Sequence, residues 1–300
     1  MKSKMNCVNW VLKTFTTLIL VLASTGYGAT RYLPSGSQDQ TSLFQSLINQ
    51  SASGDVIVVQ AGSHYLVGTV VVNKSGLTIR GDNGNAVRKA GSVSCIDLTA
   101  GATTVDNIYI DGGNRPEPCM RVLFCNGNSI LNSTFRNSGH SGLLIHASHL
   151  NNIQGCKAYY NYLVGISQYG SSDNTIQWCQ MYENGAEGLT IDVGSHNSRV
   201  HHNWIHLNNR AHRGVGGIGI DASNGAWIFN NTIDYNGYDG IKFQNNVCCG
   251  CDGVRIYDNE NISYNEGCAV KIRRTQPVTN LGFWGNRCVG NGGGNGICYQ

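Results

Sequence analysis

The stretch NGAEGLTIDVG, residues 184–194, contains the pattern that decides the fold. Asn184 is followed four residues later by Gly188, after which apolar and variable residues alternate as they do in a β-strand with one buried face. An asparagine in this setting recurs at positions 137, 161, 184, 208, 236, 265 and 291, with gaps of 24, 23, 24, 28, 29 and 26 residues. A period of this length predicts a repeat protein in which each unit buries its apolar face on the next.

Six segments carry the alternating strand: GLLIHAS (142–148), GISQYGS (165–171), GLTIDVG (188–194), GIGIDAS (217–223), GIKFQNN (240–246) and AVKIRRT (269–275). Each leads through a turn into a second short strand, and no stretch between them has a 3.6-residue apolar stripe long enough for a helix. The sequence therefore predicts a right-handed parallel β-helix. The inward Asn of each coil should hydrogen-bond the turn backbone of the next coil, so we assign the Asn ladder no catalytic role.

One segment before the repeats has helical character. TSLFQSLINQ, from Thr41 to Gln50, places Leu43, Phe44, Leu47 and Ile48 on one side. We expect this helix to cap the open N-terminal end of the solenoid, where unpaired strand edges would otherwise invite aggregation. Residues 30–300 are predicted to form one all-β domain.

Residues 1–29 are typical of a secretory signal peptide. Lys2, Lys4 and Lys13 precede the apolar run LILVLA (18–23), which is too short to span a bilayer, and small residues follow. Removing the segment reduces the 21 Lys and Arg residues to 18, which equals the 18 Asp and Glu residues. A neutral mature chain argues against non-specific nucleic-acid binding. We therefore expect a secreted, extracellular monomer with neither a membrane nor a nucleic acid as its partner.

Cysteine use fits an exported protein, because eleven of the twelve cysteines follow the signal peptide. Cys156 and Cys179 occupy equivalent positions in successive coils, and both a disulfide and a pair of stacked thiols fit that spacing. Cys248, Cys249 and Cys251 resemble a metal knuckle, but no second ligand pair at zinc spacing follows them. The cluster favours a disulfide-braced loop over a zinc site.

Two enlarged loops indicate where the function lies. From the ladder Asn to the next strand-opening residue the chain takes 4 or 5 steps in the other coils, but 9 from Asn208 to Gly217. The added residues include Arg210, His212 and Arg213. From Gly240 to the second strand of its coil the chain takes 16 steps instead of 11 or 12, and this insertion contains the cysteine cluster. Long loops on a rigid stack usually carry binding and catalysis, so these two should wall a groove on the sheet of first strands.

The floor of that groove follows from counting two and four residues beyond each strand opening. The outward pairs are Leu144/His146, Ser167/Tyr169, Thr190/Asp192, Gly219/Asp221, Lys242/Gln244 and Lys271/Arg273. With coils about 4.8 Å apart, Asp192, Asp221 and Lys242 form one strip beneath the two long loops, and Lys271 and Arg273 lie one step further.

In its repeat pattern the chain resembles the pectate-lyase-like superfamily of right-handed β-helix proteins over essentially its whole mature length. The resemblance implies a secreted protein that acts on or binds a polysaccharide. Asp192, Asp221 and Lys242 are loosely similar to the calcium-binding Asp pair and lysine base of the family 9 type of pectate lyase, which makes Ca²⁺ a candidate cofactor. The NTD, DD, GHG and RIK set of polygalacturonases is absent apart from VKIRR, and so is the DPHD of alginate epimerases.

The leading hypothesis is a lyase that cleaves an acidic polysaccharide, such as alginate or pectate, by β-elimination. Lys242 would be the base and His212 the proton donor, with Arg213 beside them. Substrate contacts are predicted for Arg210, Lys271, Arg273, Tyr169 and His146. Asp192 and Asp221 would hold either Ca²⁺ or the cationic side chains. Two alternatives are a glycoside hydrolase that uses Asp192 and Asp221, and a carbohydrate-binding protein without catalysis.

Overall fold

The repeat winds into a right-handed parallel β-solenoid of about 11 turns, as the sequence predicts. The structure is a computed structural model that describes residues 28–244, 250–273 and 277–299. Each complete coil contributes one strand to each of three long sheets, and within these sheets every neighbouring pair of strands is parallel. We name the sheets by the order of their strands in the repeat.

The first-strand sheet consists of β5 (Val70–Val72), β8 (Ile96–Leu98), β11 (Met120–Leu123), β14 (Leu143–His146), β17 (Ile166–Tyr169), β20 (Leu189–Asp192), β23 (Ile218–Asp221), β26 (Ile241–Phe243), β30 (Cys268–Ile272) and β33 (Gly294–Tyr299). The second-strand sheet consists of β1 (Thr30–Leu33), β3 (Val56–Val59), β6 (Thr78–Gly81), β9 (Thr104–Asp106), β12 (Ser129–Leu131), β15 (Asn152–Gln154), β18 (Thr175–Gln177), β21 (Arg199–His201), β24 (Trp227–Phe229), β28 (Arg255–Tyr257) and β32 (Gly282–Trp284). The third-strand sheet consists of β2 (Gly36–Asp39), β4 (Gly62–Leu66), β7 (Asn85–Lys89), β10 (Tyr109–Asp111), β13 (Thr134–Arg136), β16 (Lys157–Tyr159), β19 (Gln180–Tyr182), β22 (Trp204–His206), β25 (Thr232–Asp234) and β29 (Asn261–Ser263).

Apolar side chains from all three sheets fill the centre of the solenoid. In the second-strand sheet, for example, Ile153, Ile176, Val200, Ile228 and Ile256 follow one another in register and are fully buried. Burying one such side chain stabilises the fold by roughly 2 kcal/mol. Strands of three or four residues are therefore long enough to hold the coils together, because each buried side chain packs on similar apolar side chains in the coils above and below.

The predicted Asn ladder closes one corner of the coils. Its members are Asn161, Asn184, Asn208, Asn236, Asn265 and Asn291. Each Nδ2 donates to the Oδ1 of the next Asn at 2.9 to 3.1 Å, and that Oδ1 also accepts the backbone N–H of the preceding member. Placing Asn137 in the ladder is wrong. Ser138 holds that position, and its N–H donates to Asn161 Oδ1 at 3.0 Å.

Other corners use ladders of the same kind. One contains Asn203, Asn231, Asn259 and Asn286, with side-chain bonds of 3.0, 3.1 and 2.7 Å. Cys179 precedes Asn203 in this row, since its N–H donates to Asn203 Oδ1 at 2.9 Å, and Cys156 precedes Cys179. Both cysteines are buried free thiols, so they form a stack and not a disulfide. Burial raises the pKa of the Cys156 thiol well above its usual value.

The helix α1 (Thr41–Gln50) has the predicted bounds. Phe44 and Ile48 are buried, whereas Leu43 is 43% exposed and does not belong to the apolar face. The Gln45 side chain accepts the N–H of Val71 at 2.7 Å and donates to its carbonyl oxygen at 3.0 Å. Val71 lies in the edge strand of the first-strand sheet, so α1 satisfies backbone groups there. Its role as a cap, like the extent of a single domain over residues 30–300, stays a prediction.

A disulfide between Cys268 and Cys298 joins β30 to β33 in adjacent coils. The enlarged second loop contains β27 (Cys251–Asp252), which pairs with β31 (Val278–Thr279) of the following coil in a two-stranded sheet. Cys251 is a buried free thiol, and Cys248 and Cys249 lie outside the described residues, as does most of the predicted signal peptide. None of the helices in the described ranges is long and apolar enough to cross a membrane.

Candidate functional site

The predicted floor residues lie in two adjacent rows on the first-strand sheet. Asp192 pairs with Asp221 across β20 and β23, and Gly219, Lys242 and Lys271 follow one another across β23, β26 and β30. The carboxylates and the lysines therefore face the same side but belong to neighbouring rows. The register obtained by counting from the strand-opening glycines is correct.

The two enlarged loops adjoin opposite ends of neighbouring strands. The loop over residues 209–217 leads into β23, and the cysteine-containing loop leaves β26. Within the first loop, Asn209 accepts the N–H of Arg213 on Oδ1 at 2.7 Å and the N–H of His212 on its carbonyl oxygen at 2.9 Å. These bonds form a compact turn whose Gly214 lies over the floor.

Lys242 is covered by that loop. Only 4% of the residue is exposed, its Nζ donates to the Gly214 carbonyl oxygen, and it lies 4.9 Å from the Tyr238 ring centroid. Lys242 does lie on the outer face of its strand, as predicted, but the expectation that it has little packing is wrong. Burial lowers the pKa of the Lys242 amine, and Arg273 and Lys271 lower it further, whereas Asp239 and Glu187 act in the opposite direction.

Glu187 is a site residue that the sequence reasoning missed. Its buried carboxylate accepts a hydrogen bond from Gln244 Nε2, two coils away, above Gly219. A Cβ at Gly219 would lie 2.5 Å from Gln244 Nε2, so only glycine leaves room for this bond. Burial raises the pKa of Glu187. The sequence did contain a signal for Glu187. It is a charged residue directly before the strand-opening Gly188, whereas the equivalent residues of the adjoining coils, Val164 and Gly216, are uncharged.

Asp192 has a strongly altered carboxyl. Burial, together with the charges of Glu187 and Asp221, raises its pKa to about 7, against the hydrogen bond from Thr190. Asp221 beside it is buried. Near neutral pH Asp192 is therefore protonated in some molecules, where it can donate a proton, and ionised in others, where it can accept one.

Asp239 is the second residue that the sequence reasoning missed. It is buried just before the strand that carries Lys242, and its Oδ1 accepts the N–H of Cys268 at 2.8 Å. Its Oδ2 has no hydrogen-bond partner within the described part of the chain. Burial raises the pKa of Asp239, while Lys271 and Lys242 oppose that effect. Asp239 thus places a further buried carboxyl beside Lys242 and Lys271.

The remaining predicted residues lie around this centre. The Arg213 guanidinium lies over the Tyr162 ring at 4.8 Å, and His212 is exposed on the loop. Arg210 turns away from the floor, lying 3.9 Å from a Glu183 carboxylate oxygen and 5.3 Å from the Tyr160 ring centroid.

Two further predicted contacts extend the Asp192 row toward the N-terminus. Tyr169 pairs with Asp192 across β17 and β20, and His146 pairs with Tyr169 across β14 and β17. The His146 ring contacts Phe124 at 5.2 Å and Tyr169 at 5.4 Å. The row is therefore aromatic at one end and acidic at the other.

Family models place the chain among known proteins. The model described as "Periplasmic copper-binding protein (NosD)" matches residues 48–239, which is more than half of the sequence. The chain belongs to the NosD family. No curated protein sequence matches this NosD-family chain.

Solved structures with the same fold are distant in sequence. The ORF18 protein of Geobacillus virus E2 matches 100% of this NosD-family chain, which spans 65% of that protein, at 12% identity and a TM-score of 0.53. The match to the pectate lyase Pel9A covers 92% of this chain and 80% of the lyase chain, at 15% identity and a TM-score of 0.61. The match to the A-module of the mannuronan C-5 epimerase AlgE6 of Azotobacter vinelandii covers 94% of this chain and 98% of the module, at 13% identity and a TM-score of 0.56. Identities this low show the β-helix fold alone.

The described side chains of this NosD-family chain do not form a metal site. No group of three or more His, Cys, Asp or Glu residues lies together within the described ranges. Calcium takes six to eight oxygen ligands, and Asp192 and Asp221 supply too few. Copper prefers imidazole and sulfur ligands, but His201 and His202 hydrogen-bond each other at 2.8 Å, and no third ligand joins them among the residues that the structure describes. We therefore derive no step through calcium or copper.

Proposed function

We propose that this protein cleaves an acidic, uronate-containing polysaccharide by β-elimination on the first-strand sheet. The observation that carries the proposal is Lys242, a buried lysine among Lys271 and Arg273 whose pKa is lowered. A lysine becomes a base near neutral pH only in such surroundings. The polysaccharide-acting names of the β-helix structures that share the fold are consistent with this substrate class.

The chemistry requires three groups. Cationic side chains neutralise the uronate carboxylate, which makes the neighbouring carbon acidic, and we assign this role to Lys271 and Arg273, whose charges both act on Lys242. The neutral Lys242 amine takes the proton from that carbon, and the electron pair forms a double bond as the glycosidic oxygen leaves. A donor must then protonate the departing oxygen. Since Lys242 donates to Gly214 in the structure, the loop has to release the amine before the reaction.

Two residues are suited to the donor role. His212 is on the loop over the floor, as the sequence hypothesis requires. Asp192 is the stronger candidate, because its pKa of about 7 leaves a proton available at neutral pH. Comparing His212→Gln with Asp192→Asn distinguishes them: the larger loss of turnover identifies the donor.

An ultraviolet assay tests the reaction directly. The purified protein is incubated with alginate, pectate and glucuronan, and absorbance by unsaturated uronate ends is followed. Absorbance on one of them is the expected result. New reducing ends without absorbance would show that the protein is a hydrolase and not a lyase. Polymer of unchanged length would show that the protein does not cleave these polymers and would favour a binding role.

Hydrolysis is the second candidate because of a specific observation. Asp192 and Asp221 are direct neighbours across two strands, and the raised pKa of Asp192 suits the general acid of the carboxyl pair that glycoside hydrolases use. In this reading Asp192 protonates the leaving oxygen and Asp221 acts as nucleophile or as base.

The raised pKa of Asp192 predicts pH-dependent stability. A carboxyl whose folded pKa lies above its unfolded value of about 3.9 stabilises the fold below that value, and this contribution is lost as the pH rises through about 7. The urea midpoint of the wild type should therefore fall between pH 4 and pH 7.5, and Asp192→Asn should reduce that fall. Asp173→Asn, on an exposed turn, is the control. Equal pH dependence in all three proteins would contradict the assignment.

Shortening the first loop should separate folding from function. Replacing residues 209–216 by a four-step connection like that from Asn184 to Gly188 should preserve the solenoid, because the neighbouring coil already uses the short form. Activity should fall about 100-fold or more, since the loop supplies Arg213, His212 and the cover over Lys242. Circular dichroism and the ultraviolet assay measure the two effects. Full activity in a folded variant would move the site toward Tyr169 and His146.

We further propose that the protein is exported, with residues 1–29 as its signal peptide. The described Cys268–Cys298 disulfide and the periplasmic description of the NosD family support export. Secretion beyond the periplasm, a monomeric state and the lack of nucleic-acid or membrane partners remain predictions.

A further inference from the structure

The second-strand sheet carries an unusual set of side chains on its outer face, on a different side of the solenoid from the groove. Arg199, Trp227 and Arg255 follow one another in register across β21, β24 and β28. The two guanidinium carbons lie 5.4 and 5.2 Å from the centroid of the Trp227 ring. We call these three residues the arginine strip.

The positive charges of the arginine strip are not neutralised by the fold. Both arginines are exposed, and neither forms an ion pair with a carboxylate among the described residues. By contrast, Arg121 and Arg136 each bind a buried or half-buried aspartate. The two guanidinium groups lie two coils apart, about 10 Å, and both are exposed, so an anion can approach them from solvent.

An aromatic stack borders the arginine strip. The rings of His201, Phe229, Tyr257 and Trp284 follow one another with centroid distances of 4.8, 5.0 and 4.9 Å. Burial lowers the pKa of His201, and His202 and Arg199 lower it further, so this histidine adds no charge at neutral pH. The stack forms an aromatic edge beside the arginine strip, and Trp227 lies between the two guanidinium groups.

We propose that the arginine strip is a second binding site for an acidic polysaccharide, which rests on the substrate class proposed for the groove. An extended polymer that lies along the solenoid axis presents carboxylates to both guanidinium forks, which match a carboxylate in bidentate geometry. The site has two cations and an uninterrupted apolar border, which suits one edge of a uronate chain.

A single-stranded nucleic acid fits this surface less well. Bases bind by stacking on free aromatic faces, but both faces of Trp227 are covered by guanidinium groups and the neighbouring rings cover one another. Tight phosphate binding also takes more than two cations. The acidic polysaccharide is therefore the occupant to which we commit.

A site on this face would act together with the groove. Polymer held on the second-strand sheet leaves the first-strand sheet open, and the tethered chain raises the local concentration of substrate there. The arginine strip should thus matter for long polymer and not for short oligosaccharides, which cannot reach both faces.

The test compares two double variants in a Lys242→Met background, where bound polymer is not cleaved. Arg199→Gln with Arg255→Gln should raise the dissociation constant for pectate and alginate about tenfold, and added salt should diminish the difference. Arg80→Gln with Lys157→Gln removes the same charge from exposed positions elsewhere, so it should change the constant less than twofold. Equal affinity of the two double variants would overturn the proposal.

Kinetics in the otherwise wild-type protein separate this inference from the proposed function. The arginine double variant should raise KM for polymer about tenfold and leave kcat and the turnover of a uronate trisaccharide unchanged. If the wild type cleaves nothing while the arginine variant still loses polymer binding, the groove proposal fails and the second site stands. If the wild type cleaves polymer and the arginine double variant has an unchanged KM for polymer, the second binding site is refuted while the proposed function stands. Arginine-dependent binding of a thymidine oligonucleotide without arginine-dependent uronate binding would also refute it.

Discussion

Lys242→Met is expected to reduce turnover of the uronate polymer by about 1,000-fold, which is the usual effect of losing a general base. Methionine keeps the apolar stem that packs beneath the loop but has no amine to take the proton. Burial, Arg273 and Lys271 lower the pKa of Lys242. At a given pH a larger fraction of the wild-type amine is therefore deprotonated than in a freely solvated lysine. The ultraviolet assay on polymer measures the loss.

The control for this variant is Lys157→Met, which removes an exposed lysine from the third-strand sheet and should keep full activity. Lys242→Ala is a poorer choice, because truncating a buried side chain that binds Gly214 should cost about 1 to 3 kcal/mol of stability. Wild-type turnover in a folded Lys242→Met protein would remove Lys242 from the mechanism.

Asn236→Ala should cause the largest loss of stability, about 4 kcal/mol, as several buried polar groups lose their partners at about 1 kcal/mol or more each. The Asn236 Oδ1 accepts both the N–H and the Nδ2 of Asn208 at 3.1 Å. Its Nδ2 donates to Asn265 Oδ1 at 2.9 Å and to the Ile205 carbonyl oxygen at 3.2 Å. Alanine removes all four of these bonds in a place that water does not reach, although Asn208 Nδ2 keeps its bond to the Met181 carbonyl oxygen and Asn265 Oδ1 keeps the backbone N–H of residue 236.

The matched control is Asn137→Ala. Asn137 is only half-buried, its side chain makes one bond of 3.1 Å to Asp111, and it lies outside the ladder. We expect a loss of about 1 kcal/mol there, much of it from the positive φ of 51°. Urea unfolding followed by circular dichroism compares the two. Equal midpoints would show that the ladder contributes little to stability.

The sequence predicted the solenoid well because its rules are local and repeated. An apolar residue at every second position and an Asn before each strand set the register, and Asp192, Asp221 and Lys242 fell where the count put them. Asn137 was misplaced by one residue, because Ser138 makes the same backbone bond with a different side chain.

The chemistry of the site was less accessible from the sequence. Glu187 and Asp239 precede the strands, where the alternation rule does not say which way a side chain points, and both turn out to be buried beside the floor. The burial of Lys242 depends on how the 209–217 loop folds back, and its bond to Gly214 has no sequence signal. Likewise, only the three-dimensional arrangement shows that, over the described ranges, Asp192 and Asp221 are not part of a group of three or more metal-ligating side chains.

The Asn ladder makes the coils interchangeable. Every ladder Asn offers its neighbour the same acceptor and takes the same donor, whether the coil between them has 23 residues or 29. A coil could thus be duplicated, removed or exchanged for one with a longer loop, and the junction on either side would be chemically identical to the original. Groove length and groove chemistry can then change independently of the core, by whole turns of about 4.8 Å. A solenoid with this ladder can therefore gain a coil without any change to the residues of its interior.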